Sequence, residues 1–162
     1  MNPIDIVRAS GGKDVEIPTL ELNCIAWAEP IYICGGFFDQ VCTTEDGLTI
    51  TFEAAGIDVA IPKKSNEGSQ TLGVAIDNVR GIAKQRLDEA KAQGAQVVLI
   101  YRLYLDSDRS GPCERPMGMK LLSFVADGPT IEIQAGYFNL INSSWPRRRY
   151  TATFSPGVKY IA

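Results

Sequence analysis

Four cysteines are the side chains of this sequence whose type and number could most readily do chemistry: Cys24, Cys34, Cys42 and Cys113. Four thiolates are the ligand set of a structural zinc ion or an iron–sulfur cluster. The spacing is unusual, because nine residues separate the first pair, seven the second and seventy the third, with no CxxC motif. A shared metal site would therefore have to be assembled by tertiary structure. The alternative is that the four are buried small hydrophobes or unrelated thiols.

Histidine is absent from the sequence. Its absence excludes Ser-His-Asp and Cys-His catalysis, HExxH zinc hydrolysis and Cys2His2 zinc sites. Among the 19 Asp and Glu residues no acid–base pair can be distinguished by its spacing. We therefore expect a protein that is not an enzyme, although the acids alone would permit a hydrolase of cell-wall polymer.

Two further motifs carry weaker signals. Asp106–Gly111 resembles the opening of a calcium loop, but its twelfth position is Met117 where a bidentate Glu is required, so a solvated turn is expected. Arg147, Arg148 and Arg149 could pair with phosphate or carboxylate groups. In a chain of net charge −3 this triplet predicts an exposed loop or subunit contact and no sequence-specific nucleic acid.

The length and composition indicate one ordinary globular domain. The chain has 162 residues, of which 45% are hydrophobic and 22% charged. We expect a single domain over 1–162, with a flexible N-terminal segment 1–14. Residues 1–8 lack a basic segment followed by an apolar one, which predicts a chain made in a reducing cytosol, without structural disulfides. No apolar run reaches membrane-spanning length, so no membrane anchor is expected.

Period-2 alternation of apolar and polar residues predicts most of the elements that must position these side chains. The alternating segments are Val15–Asn23, Ile31–Cys34, Leu48–Glu53, Ile57–Ile61, Leu72–Ile76 and Tyr150–Phe154. The phase slips by one residue across Ala54-Ala55-Gly56, which predicts a bend at that point. Met119–Ala126 and Thr130–Phe138 flank Asp127-Gly128-Pro129, which predicts a hairpin. The apolar run Val97–Leu105 contains one charge, Arg102, and is typical of a central strand.

One segment changes to helical periodicity. From Val79 the apolar positions recur at i, i+3 and i+4, with Asp77 or Asn78 as the N-cap and Gly94 after the last turn. The pattern predicts a helix over 79–93. The whole inventory predicts a mainly β (α+β) protein, a β-sandwich or partly open barrel of seven to nine strands with this one flanking helix.

The order of several short segments resembles the tail proteins of unknown function in siphophages and prophages. The matching segments are Val15–Leu22 followed by Pro30-Ile31, Thr51–Ala55 followed by Ala60–Lys63, Ile76–Val79, Arg102–Leu105, Asp127-Gly128, Trp145–Thr151 and Phe154–Gly157. They extend over most of the chain, from about residue 15 to residue 157.

This resemblance implies a structural component of the tail tip or baseplate hub of a long, non-contractile phage tail. Distal-tail and hub proteins share a β-sandwich tube domain with a flanking helix, and the implied partners are a distal tail protein, a hub or central fibre protein and a tape measure protein. We expect a homo-oligomeric ring in the virion, made in the host cytoplasm, in which loops 62–69 and 106–118 dock neighbouring subunits.

The cysteines depart from this family pattern, and the resemblance gives them no role. Some hub proteins carry an iron–sulfur cluster on four cysteines, so by analogy alone such a cluster remains an alternative for this chain. The alternative hypothesis is therefore a cytosolic metal or iron–sulfur module on Cys24, Cys34, Cys42 and Cys113. The tail hypothesis predicts no cofactor. The alternative predicts zinc or an iron–sulfur cluster.

Overall fold

A mixed β-sheet dominates the structure, a computed structural model that describes residues 3–10, 14–60, 71–77 and 81–137. In these ranges the elements are α1 (Pro3–Ser10), β1 (Glu16–Cys24), β2 (Ile31–Gly35), β3 (Gln40–Thr43), β4 (Thr49–Ala55), β5 (Ile57–Ala60), β6 (Thr71–Asp77), α2 (Ile82–Gln93), β7 (Val97–Leu105), β8 (Met117–Asp127) and β9 (Thr130–Gly136). The nine described strands follow the order β3-β4-β2-β1-β7-β8-β9-β6-β5. The β2–β4 pair is parallel and the other pairs are antiparallel. The predicted mainly β fold is confirmed.

The sheet must curl because a single residue joins its two ends. β4 lies beside one edge and β5 forms the other, yet only Gly56 separates them in sequence. The Asp77 amide donates a 2.9 Å hydrogen bond to the Gly56 carbonyl, which fixes this corner to β6. The bend predicted from the phase slip at residues 54–56 is therefore present, and the sheet forms a partly open barrel.

The main hydrophobic core fills the inner face of this curled sheet. Each of β6 and β9 contributes three buried side chains: Leu72, Val74 and Ile76, and Ile131, Ile133 and Ala135. Ala83, Leu87 and Ala90 of α2 and Ile4 of α1 pack against the same core. Trp27, just after β1, donates to the Arg86 carbonyl of α2, whereas Arg8 of α1 pairs with Glu16 at the start of β1. The two helices therefore cover opposite ends of the sheet.

A smaller core lies on the outer face of β1, β2 and β7, under the β3–β4 hairpin. Its buried members are Ile17, Cys34, Cys42, Phe52 and Tyr104. The Phe52 ring meets Tyr32 edge-on, with centroids 5.6 Å apart, and lies 6.3 Å from Tyr104. Two cores on opposite faces of the same strands explain why β7 is buried on both sides.

The predicted helix over 79–93 corresponds to α2, which begins later, at Ile82. Gly94 follows the last turn with φ 64, as predicted. The N-cap prediction is wrong, because the cap is Gly81, which has φ 72 and makes no side-chain cap hydrogen bond. Asp77 is instead the last residue of β6. Asn78 and Val79 lie outside the described residues.

The predicted central strand and hairpin are present. β7 has the predicted bounds, Val97–Leu105, and lies fifth in the order of nine. β8 and β9 pair antiparallel around a turn in which Gly128 has φ 58.

The sequence patterns missed α1, inside the segment 1–14, and β3. The strand predicted near Tyr150–Phe154 lies outside the described residues.

Candidate functional site

The four cysteines are divided between the two cores. Cys34 and Cys42 are buried in the small core, Cys24 is buried in the main core and Cys113 packs against the main core from a loop. All four thiols are free. The Cys34 Sγ donates to the Phe52 carbonyl at 3.4 Å, and the Cys113 Sγ donates to the Leu103 carbonyl at 3.0 Å. These thiols already make local hydrogen bonds within the fold.

The strand register keeps Cys24 away from Cys113. Cys24 is the pairing partner of Val97, whereas the Cys113 amide bonds the Leu103 carbonyl, six residues further along the same strand. Six residues of strand span about 20 Å at about 3.3 Å each. Consistent with this separation, the described residues include no group of three or more His, Cys, Asp or Glu side chains placed to hold a metal ion. The four-thiolate site stays a prediction, and this structure places Cys34 and Cys42 in one core but does not bring all four thiols together.

Burial also works against thiolate chemistry at three of these positions. Desolvation raises the pKa of the Cys34, Cys42 and Cys113 thiols. The thiolate is both the metal-binding and the nucleophilic form, and a raised pKa lowers its population near neutral pH. In this structure the three side chains pack as small apolar groups with a weak donor.

The calcium-like segment Asp106–Gly111 is a hydrogen-bonded turn. Asp108 accepts hydrogen bonds from the backbone amide and the hydroxyl of Ser110, at 3.0 and 2.6 Å, which lower the pKa of the Asp108 carboxyl. Asp106 pairs with Arg109. The carboxylates of a calcium loop would converge on one point, whereas these two bond separate neighbours in the loop. The loop also joins the fold, since the Thr43 amide donates to the Arg109 carbonyl at 2.9 Å.

Arg102 is the centre of a buried ion cluster. Its guanidinium donates a hydrogen bond of 2.7 Å to Glu21 and two hydrogen bonds, of 2.7 and 3.0 Å, to the two carboxylate oxygens of Glu45. The Arg102 side chain is 4% exposed, against 10% for Glu21 and 39% for Glu45. Because Glu21 lies on β1 and Glu45 in the β3–β4 turn, the cluster fixes the hairpin to the sheet. Its one sequence signal is the lone charge within the apolar run Val97–Leu105.

Among the described residues, two consecutive aromatic side chains are exposed in the turn between β2 and β3, which we call the aromatic tip and define as Phe37 and Phe38. Their side chains are 96% and 77% exposed. Fixed contacts hold the turn: one Asp39 carboxylate oxygen accepts from the Ala54 amide at 2.8 Å, and the Cys34 thiol contacts the Phe38 carbonyl at 3.7 Å. Sequence reasoning missed this tip, although the residues Gly35-Gly36-Phe37-Phe38 would have signalled a turn that carries aromatic side chains.

The edge strand β3 beside the tip is partly blocked for pairing with another strand. Its outward N–H at Thr43 donates to the Arg109 carbonyl, and the Thr43 carbonyl accepts from the Tyr104 hydroxyl at 3.0 Å. Such internal partners limit strand addition along a sheet edge. A partner at this corner would therefore meet side chains, chiefly the aromatic tip and the exposed Val41.

The structure also sets limits on the other expected contacts. Loop 62–69 and the arginines Arg147, Arg148 and Arg149 lie outside the described residues. In loop 106–118, the expected docking segment, Cys113 and residues 106–109 make the internal hydrogen bonds given above. No described helix is long and apolar enough to cross a membrane.

A family model matches most of the chain. Residues 5–150 match the family model described as "Domain of unknown function (DUF1833)". No curated protein matches the chain. The matched range contains the nine described strands, the small core and the aromatic tip.

Proposed function

The chain belongs to the DUF1833 family, whose description assigns no activity, and from the geometry we propose that it is a structural subunit of a phage tail. It belongs in the tail tip or baseplate hub of a long, non-contractile tail, where it acts by packing against neighbouring subunits in a symmetric ring. The resemblance of its segment order to siphophage tail proteins supports this role.

The observation that carries the proposal is the aromatic tip. Phe37 and Phe38 are almost fully exposed on a turn whose backbone is held in place. Burying a Phe side chain contributes about 1.5–3 kcal/mol, so a partner that covers both would gain about twice that amount. Rigid aromatic side chains are typical anchors of protein interfaces, because little conformational entropy is lost when they dock.

The partners follow from this role. Besides further copies of the chain, they are a distal tail protein, a hub or central fibre protein and a tape measure protein. The role requires neither a cofactor nor a catalytic residue, and it places the protein in the virion.

Immunogold electron microscopy of purified tailed particles tests the proposal. We expect an antibody against the protein to label one end of the tail. A matched complementation assay compares the double variant Phe37→Ser/Phe38→Ser with Leu48→Ser, which removes a similarly exposed apolar side chain from the far end of the β3–β4 hairpin. Only the tip variant should block the appearance of complete particles. Unlabelled particles that lack the protein would reject the proposal.

A further inference from the structure

A shallow groove lies between the C-terminal half of α2 and the neighbouring strand β8, and we call it the α2–β8 groove. Its volume is about 380 Å³. Leu87, Ala90 and Val97 lie at the base, Leu121, Leu122 and Phe124 lie on the β8 side, and Lys91, Gln96 and Ser123 add polar groups to the lining. A cavity of about 150 Å³ is enough to hold a benzene molecule, so this groove has room for two phenyl rings.

A bulge in β8 shapes the wall of the groove. The pairing of β8 with β9 shifts register between Leu121 and Ser123, which leaves Leu122 as the additional residue. Bulges redirect side chains at sites of contact. As a result Leu122 is 60% exposed, although its neighbour Leu121 packs against the main core.

Among the described residues, a single positive charge, Lys91, lies at the rim of the groove, whereas a single negative charge, Asp39, lies beside the aromatic tip. The Lys91 ammonium lies 5.6 Å from the centroid of the Phe124 ring, over the wall of the groove. Asp39 follows Phe38 directly and is exposed beside the tip. A lysine above aromatic side chains can attract both further aromatic rings and a carboxylate.

The tip and the groove lie at opposite ends of the sheet. The tip follows Cys34, which pairs through Thr19 with Arg102, whereas the groove includes Val97 at the start of β7. These five residues of strand put about 17 Å between the two ends. A tip therefore cannot fill the groove of its own chain, and the two surfaces are arranged for contact between successive copies.

We infer that the aromatic tip of one copy docks in the α2–β8 groove of the next copy. Phe37 and Phe38 cover the apolar part of the groove, and Asp39 meets Lys91 at its rim. The contact is head-to-tail, because each copy uses its tip on one neighbour and its groove on the other. The assembly therefore closes as a ring or continues as a filament. This inference rests on the proposed subunit role and names its partner, a second copy of the chain.

A mixing experiment distinguishes this contact from a symmetric one. The tip variant Phe37→Ser/Phe38→Ser keeps its groove, and the groove variant Leu122→Arg keeps its tip. By sedimentation velocity we expect the full-length wild-type chain to form oligomers as its concentration rises, and each variant alone to remain monomeric. Their mixture should form a one-to-one dimer and nothing larger. Leu48→Ser is the control and should associate like the wild type.

The tip and groove variants should weaken self-association to a measurable extent. Loss of the two aromatic anchors should weaken self-association by at least about 30-fold, as for interface hot spots. Lys91→Glu is a second groove variant, at an exposed position, and should weaken association in the same direction. A monomeric wild-type chain, a tip variant that still associates or a mixture without dimers would overturn the inference. None of these outcomes would remove the protein from purified particles, which is the separate test of the proposed function.

Discussion

At the scale of single residues, the structure is governed by which polar groups it buries and how it pairs them. Arg102 is an example, because it lies in a strand that is covered on both faces. A buried guanidinium is tolerated when its donors are satisfied, and two carboxylates on separate elements satisfy this one. Thr43 shows the same principle on the backbone, where a loop carbonyl and a tyrosine hydroxyl occupy both of its groups.

Removing Arg102 should be strongly destabilising. In Arg102→Met the buried Glu21 loses its ion-pair partner. The expected loss is about 3–5 kcal/mol in the free energy of unfolding, measured by urea denaturation. The double variant Glu21→Met/Arg102→Met also removes the unpaired Glu21 carboxyl and should recover much of the lost free energy of unfolding. A double variant no more stable than Arg102→Met would contradict this account.

The Arg102–Glu45 pair predicts a pH dependence of stability. Hydrogen bonding to Arg102 lowers the pKa of the Glu45 carboxyl in the folded protein. A lowered folded pKa means that the pair stabilises the fold fully above the unfolded pKa, about 4.3, and that this contribution is lost as the pH falls through the folded pKa. The melting temperature of Glu45→Gln should therefore lie below that of the wild type at pH 7, and the difference should shrink below about pH 4. A difference that is constant from pH 7 to pH 3 would show that Glu45 acts without its charge.

At the scale of elements, close packing between strands fixes the positions of the turns. Pro18 lies within β1, where it pairs with Leu103 of β7, at the point where the pairing with β2 ends, since the β2 register begins at Thr19. Its ring lies against the backbone of Gly35, at the end of β2. This contact favours a residue without a side chain at position 35, two residues before Phe37.

Gly35→Ala should therefore cost stability. A Cβ atom at position 35 would lie 2.8 Å from the Pro18 Cγ, a contact that the proline ring cannot relieve by rotation. We expect a loss of about 1–3 kcal/mol, as for an overpacked site, measured by thermal and urea unfolding. Gly118→Ala is the matched control, because a Cβ there meets nothing within 4 Å. Equal stability of the two variants would contradict the proposed clash.

The sequence was most informative where periodicity was regular. It predicted β6, β7 and the β8–β9 hairpin, because alternating apolar residues or an Asp-Gly turn mark them directly. It missed α1, whose eight residues are too few for a helical pattern to stand out, and the four-residue strand β3. It predicted a side-chain cap at Asp77 or Asn78, yet β6 extends through Asp77 and α2 begins at Ile82.

The candidate site could be predicted only in part. Four cysteines are visible in the sequence, but their distribution over two cores depends on strand register, which single-sequence patterns do not give. The aromatic tip requires knowledge of exposure, because a Phe pair after two glycines also suits a buried strand. The α2–β8 groove depends on a bulge and on helix docking, which are tertiary features.

At the scale of the whole molecule, the fold is a curled sheet with a helix over each end and two surfaces suited to contact. The join at Gly56 holds the sheet ends together, and the Arg102 cluster holds the β3–β4 hairpin against the outer face. This rigidity presents the tip and the groove at fixed positions at opposite ends. A rigid unit with complementary ends is suited to repeated assembly.

The central claim is that the protein is a built-in part of a phage particle. The most direct test is quantitative peptide mass spectrometry of purified tailed particles, with known tail and capsid proteins as internal references. The account predicts that the protein is present in several copies per particle, in a constant ratio to the other tail-tip proteins across preparations. Its absence from purified particles, while it is abundant in the lysate that produced them, would contradict the account.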